Sequence, residues 1–153
     1  MEVAYISKED AIRVHRKTVM KSGGGSYAIL DDGRIDSILH HIKNDDYYPT
    51  FLDKLHHLCF ALCKFHCFAD GNKRIAISLS AYFLLINGYL SEATTFLAEM
   101  ENIAYHVASG AISEELLKDI LKAIIEHTYK DDDVLAFAIL QSIQAHENVN
   151  FQA

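Results

Sequence analysis

The chain has 153 residues, half of them apolar and 23% charged, with a net charge of −7 and a pI near 5.6. That length fits one domain able to bury a core without staples, and the composition excludes a disordered or fibrous chain. The acidic balance argues against generic nucleic-acid binding, which rests on neutralised phosphates, and points to a protein or nucleotide partner instead.

The N-terminus lacks a basic, apolar signal pattern, and the three Cys are odd in number, so a reduced cytoplasm is expected. Ser7 begins a predicted helix, with Asp10 three residues later as in a capping box. Ala11, Ile12, Val14, His15 and Val19 continue it until Gly23-Gly24-Gly25. Ser26 to Arg34 is turn-rich and short, which fits a small β-hairpin flap. A short helix is expected from Ile35 to Ile42. Asp45 to Pro49 is a loop containing Tyr47-Tyr48, read as packing with partner contact as the alternative, and Thr50 is placed to cap the next helix.

Phe51, Leu52, Leu55, Leu58, Cys59, Leu62 and Phe65 form one broad apolar face, so this helix should run to about His66. Asn72 to Asn87 is apolar all round and closed by Gly88, which marks a central helix. Its apolar run, Ile75 to Ile86, is interrupted by Ser78 and Ser80 and is too short to span a membrane. Further helices are expected over Thr95 to Val107, from Ser113 through the stripe Leu116, Leu117, Ile120, Leu121, Ile124 and Ile125, and over Val134 to His146. The expected fold class is all-α, a compact helical bundle with a small β-hairpin flap.

The chemistry concentrates in His66-Cys67-Phe68-Ala69-Asp70-Gly71-Asn72-Lys73-Arg74. A helix N-terminus offers unpaired amides and a partial positive charge, and Gly71 lets the backbone curl so that its amides converge on an anion. Gly71, Asn72, Lys73 and Arg74 are therefore the candidate phosphate-binding residues, with Arg74 able to grip a phosphate by two parallel bonds. Asp70 beside a phosphate implies a bridging Mg²⁺, which takes one or two carboxylates plus phosphate oxygens. His66, at the end of the preceding helix, is the candidate general base, a role worth roughly two to four powers of ten in rate. A plain helix–loop–helix corner needs a cap and a glycine, not the other residues.

Three other groups read as structural. Cys59, Cys63 and Cys67 are spaced by four residues and lack a C-x-x-C pattern, so buried thiols are favoured over zinc ligands. Asp31-Asp32 and Asp131-Asp132-Asp133 read as solvated turns. His15, His40, His41, His106 and His127 read as surface or partly buried groups without an assigned role.

The run His66, Phe68, Asp70, Gly71, Asn72 and Arg74 resembles the Fic/Doc family, whose loop reads H-x-F-x-D/E-G-N-x-R. Lys73 follows the Doc branch, the death-on-curing toxins. Tyr5-Ile6-Ser7, the glycine-rich flap, Tyr48-Pro49-Thr50 and Asn87-Gly88-Tyr89 look like that family in the same order, over roughly Tyr5 to Glu126. The resemblance implies a Fic-like domain over residues 1–126 and a helical C-terminal extension, 127–153, packed on it. It implies ATP as co-substrate, Mg²⁺ at Asp70, His66 as the base, and a protein substrate held at the flap by strand addition. Ile77 stands where AMP-transferring Fic enzymes carry a second Arg, which favours phosphoryl transfer to a Ser/Thr hydroxyl over AMP transfer. The target expected by family resemblance is a protein such as a translation factor. A non-catalytic binding module on the same fold is the alternative from another class. Ser142 and Glu147-Asn148 miss the spacing of the family's inhibitory helix by one residue, so a separate antitoxin chain is the expected inhibitor. Direct nucleic-acid and membrane partners are not expected, and oligomer formation is left open.

Overall fold

The computed structural model describes residues 2–21, 32–65 and 72–152. Seven α-helices account for most of them: α1 (Lys8–Lys21), α2 (Asp32–His41), α3 (Phe51–Lys64), α4 (Asn72–Ile86), α5 (Leu90–Ser109), α6 (Glu114–Ile125) and α7 (Asp133–Gln152). A 3-10 turn, Tyr129–Asp131, joins the last two, and no strand occurs among the described residues. The all-helical expectation stands. The expected hairpin, Ser26 to Arg34, falls on residues 26–31 outside the described residues and on 32–34 inside α2, and the glycine stop of α1 also lies outside the described residues.

Local chemistry sets several helix starts. Ser7 Oγ accepts the Asp10 amide at 3.0 Å. The Asp10 carboxyl is held below its ordinary pKa by hydrogen bonds from Arg13 and Ser7, as a capping box requires. Thr50 caps α3 through a reciprocal box in which its Oγ1 accepts the Asp53 amide at 3.1 Å and Asp53 accepts the Thr50 amide at 3.2 Å. Ser113 accepts the Leu116 amide at 3.1 Å to start α6. Asp132 accepts the Leu135 amide at 2.9 Å to start α7. This last contact gives the Asp131–Asp133 cluster a capping role.

Two boundaries differ from the sequence reading. Helix α2 starts at Asp32, not Ile35, so Asp32, Gly33 and Arg34 belong to the helix and not to a flap. The first turn of a helix tolerates glycine, and a leading Asp suits the positive end of the dipole. Helix α5 starts at Leu90, not Thr95, although Tyr89 makes no side-chain cap. The start is fixed by tertiary contact: Tyr89 stacks on Phe51 at 4.8 Å, and Phe51 stacks on Phe83 at 4.9 Å. Gly88, at φ +88°, makes the tight reversal that α5 needs so soon after α4.

Helix α4 is central, packed on α1, α3 and α5, with Ile75, Ala76, Leu79, Phe83 and Leu84 buried. Helix α6 presents Leu117, Ile120, Leu121 and Ile124 to α3 and α5, and α7 lies on α6. At the end of α4, Asn87 clamps the incoming chain. Its Oδ1 accepts the Ala4 amide at 2.8 Å and its Nδ2 donates to the Ala4 carbonyl at 2.9 Å. Cys59 and Cys63 are buried in the core of α3. Hydrogen bonding to Cys59, together with burial, pushes the Cys63 thiol far above its ordinary pKa, as for an inert packed thiol. His15 departs from its expected exposure and is fully buried in α1.

Helix α6 ends in a Schellman turn: the Thr128 amide donates to the Ala123 carbonyl at 2.9 Å and the His127 amide to Ile124 at 3.3 Å. The residue in the left-handed position is His127, at φ 61°, where glycine would carry no steric cost. Its ring meets Glu92 at 3.2 Å on the surface, a pair of small value. His127→Gly is therefore expected to raise the unfolding free energy by about 0.5–1 kcal/mol. Chemical denaturation checks this, and an unchanged or lower midpoint would count against a strained His127.

Candidate functional site

Residues 66–71 of the motif lie outside the described residues, so His66, Asp70 and Gly71 have no structural account here. The two helices that bracket them are described. Helix α3 ends at Lys64, and the Phe65 amide closes it by donating to the Ala61 carbonyl at 2.9 Å. Helix α4 begins at Asn72, as the motif reading requires for an anion cradle at its N-terminus.

The first turn of α4 carries no acidic side chain. It carries Lys73 and Arg74, both exposed. Two cations in a turn that holds no acidic residue of its own, on the positive end of a helix dipole, give an electrostatic environment that suits phosphate oxygens. The Lys73 ammonium sits 5.0 Å from the centre of the Tyr105 ring, a cation–π contact from α5 that restricts where the charge can go. Arg74 lies on the wall of a cavity of about 370 Å³ between α1, α4 and α5. Ile77 forms its apolar wall one turn beyond Arg74, and Lys17, Thr18, Ser78 and Glu101 supply the polar lining. Thr18 Oγ1 donates to Ser78 Oγ at 3.3 Å, tying α1 to α4 beside the cavity.

Lys17, Thr18, Glu101 and Tyr105 were not candidates in the sequence reading. Lys17 and Thr18 come from α1 and Tyr105 from α5, and nothing in their local patterns marks them. Only the packing of those helices on α4 brings them to Arg74 and Lys73.

His56 and His57 are neighbours on α3 with different partners. His56 Nε2 lies 2.7 Å from the Glu114 carbonyl, and the Tyr48 hydroxyl lies 3.2 Å from His57 Nδ1. Burial pushes both imidazoles below their ordinary pKa, with His41 and His56 adding repulsion at His57. The folded protein thus resists protonation at two places where the unfolded chain, with His near 6.5, accepts it. Their contribution to stability is complete above about pH 6.5 and declines as pH falls through that value toward the depressed folded values. Urea midpoints at pH 7.5 and 5.5 should show the lower stability at 5.5. A flat profile would mean that neither ring is held neutral by the fold.

The described helices form a bundle whose α4 opens on a cationic first turn. The sequence model of the Fic/DOC family matches residues 5–84, just over half of the chain and the whole of α1 to α3 with most of α4, so the chain belongs to the Fic/DOC family. Members of that family are typically protein-modifying transferases. No curated protein matches the chain. No helix among the described residues is long and apolar enough to cross a membrane.

Proposed function

We propose that this protein is a Doc-like toxin that transfers the γ-phosphate of ATP to a Ser or Thr hydroxyl of a target protein, possessing a separate antitoxin chain as its inhibitor and acting in the cytoplasm. The observation that carries the reading is the motif His66 to Arg74 within a matched family segment, opening onto an α4 N-terminus with two cations and no acid. Gly71, Asn72, Lys73 and Arg74 would hold the phosphates, and Tyr105 would keep the Lys73 ammonium at the cradle. Asp70 would hold Mg²⁺, which would neutralise phosphate charge.

In this reading His66 takes the proton of the acceptor hydroxyl as its oxygen bonds to the γ-phosphorus. The bond from that phosphorus to the bridging oxygen breaks, and ADP leaves. Ile77 favours this over AMP transfer, because the cavity wall one turn beyond Arg74 is apolar where a second guanidinium would be needed. Incubation with γ-labelled and α-labelled ATP and a cell lysate tests the choice. Label from the γ position alone is the expected result. Label from the α position alone would replace the kinase reading by AMP transfer. No label, with no Mg·ATP affinity by calorimetry, would favour a binding module.

A further inference from the structure

Two cavities, of about 290 and 450 Å³, meet at His41 on the face formed by α2, the α2–α3 loop and the end of α3. In a chain of net charge −7, none of their described lining residues carries a carboxylate. Arg34, His41 and His57 line the first and Lys43 the second, with Phe65 and Tyr47 as exposed aromatic edges.

The groove is built, not incidental. Arg34 Nη1 donates to the Phe65 carbonyl at 3.3 Å, and its guanidinium lies 5.2 Å from the centre of the Phe65 ring. His41 and His57 stack at 6.3 Å, and the Tyr48 hydroxyl holds His57 from behind at 3.2 Å. Lys43 is steered by the Tyr5 ring at 5.8 Å. Tyr47, 77% exposed, is not the packing residue that its sequence suggests and faces the second cavity.

We infer that this groove docks an acidic stretch of the acceptor protein beside the hydroxyl that is modified, so that the enzyme selects Ser or Thr flanked by Asp or Glu. Charge complementarity names the ligand: Arg34 lines one cavity and Lys43 the other, and no described residue of either lining carries a carboxylate. Chain continuity names its place, since Phe65 on the groove wall precedes His66 directly. Two permanent cations are too few for RNA, whose binding draws on many phosphate contacts. The inference rests on the reading of His66 as the acceptor's base, and its test separates the two.

Three fluorescent dodecapeptides with a central Ser flanked by Glu, by Gln or by Lys are titrated against the full chain by fluorescence polarisation. The Glu peptide should bind about tenfold tighter than the Lys peptide, as two partly exposed ion pairs allow. The double variant His41→Glu/Lys43→Glu should reverse that order, and His41→Ser/Lys43→Ser should flatten it if the reversed variant fails to fold. Equal binding of the three peptides, an order that survives both double variants, or tighter binding of an all-uridine dodecamer overturns the groove assignment. Transfer of label from ATP to the Glu peptide is read separately. Binding in the expected order without label rejects the transferase reading and keeps the groove, whereas label without a charge preference rejects the groove and keeps the transferase.

Discussion

His66→Ala is expected to lower group transfer by roughly a hundredfold to ten-thousandfold, the usual worth of a positioned general base, and to abolish any toxicity. The same variant should keep its unfolding midpoint. Helix α3 is closed at Phe65 by a main-chain bond to Ala61, before His66 is reached. The core of α3, from Leu55 to Cys63, is also complete without it. The measurement is label transfer beside a urea curve on the same preparation. Unchanged transfer or unchanged toxicity would remove His66 from the mechanism. A collapsed midpoint would make it a structural residue instead.

The largest expected loss of stability is at Lys54, which is 2% exposed and so among the deepest side chains of the protein. Its ammonium donates to the Ile42 carbonyl at 2.9 Å and to Asp45 at 2.7 Å, and lies 5.7 Å from the centre of the Tyr5 ring. Burial pushes its pKa down. Hydrogen bonding to Asp45 and Tyr5 overcomes that, so the group stands above its ordinary value and is charged in the fold. Lys54→Met keeps most of the stem but leaves the Ile42 carbonyl buried without its donor. The expected cost is about 1–3 kcal/mol, from an orphaned buried acceptor. Asp45 is 80% exposed, and asparagine keeps an amide oxygen that can accept from the ammonium, so Asp45→Asn should cost under about 1 kcal/mol. Urea denaturation of both variants checks the pair, and equal costs would mean that the ion pair, not the carbonyl, carries the effect.

This lysine also shows how the α2–α3 loop is held. Lys54 fastens the loop to α3 from below, while Asn87 and Tyr5 fasten the N-terminal segment to the end of α4. The basic groove with His41 and Lys43 stands on that fastened loop, so Lys54 supports it without lining it. Lys54 lies mid-face in α3, where lysine in a helix usually signals solvent, and its burial follows from partners supplied by Ile42 and Asp45 on the preceding loop.

Much of the architecture was legible in local pattern. The caps at Ser7, Thr50 and Ser113, the glycine closure at Gly88, and the apolar stripe of α6 depend on residues within one or two turns of each other. The starts of α2 and α5 were less legible. Gly33 in a first turn and Ser91 in an uncapped one read as loop until tertiary packing overrides local preference. The burial of His15 and the exposure of Tyr47 likewise turn on which side of each element faces a neighbour.

Helix periods, caps and the motif spacing marked the helical class and the run from His66 to Arg74, and they carried the expectation of phosphate binding at the start of α4. These are short-range matters of helix period, capping and the residues that follow a glycine. Packing of the helices on one another adds that Tyr105 contacts Lys73, that Lys17 and Thr18 share a cavity with Arg74 and Ile77, and that Arg34, His41, Lys43 and His57 line two adjoining cavities whose described linings hold no carboxylate. Those groupings join residues tens of positions apart, and a helix's own sequence carries its buried stripe but not the identity of the helix that will cover it.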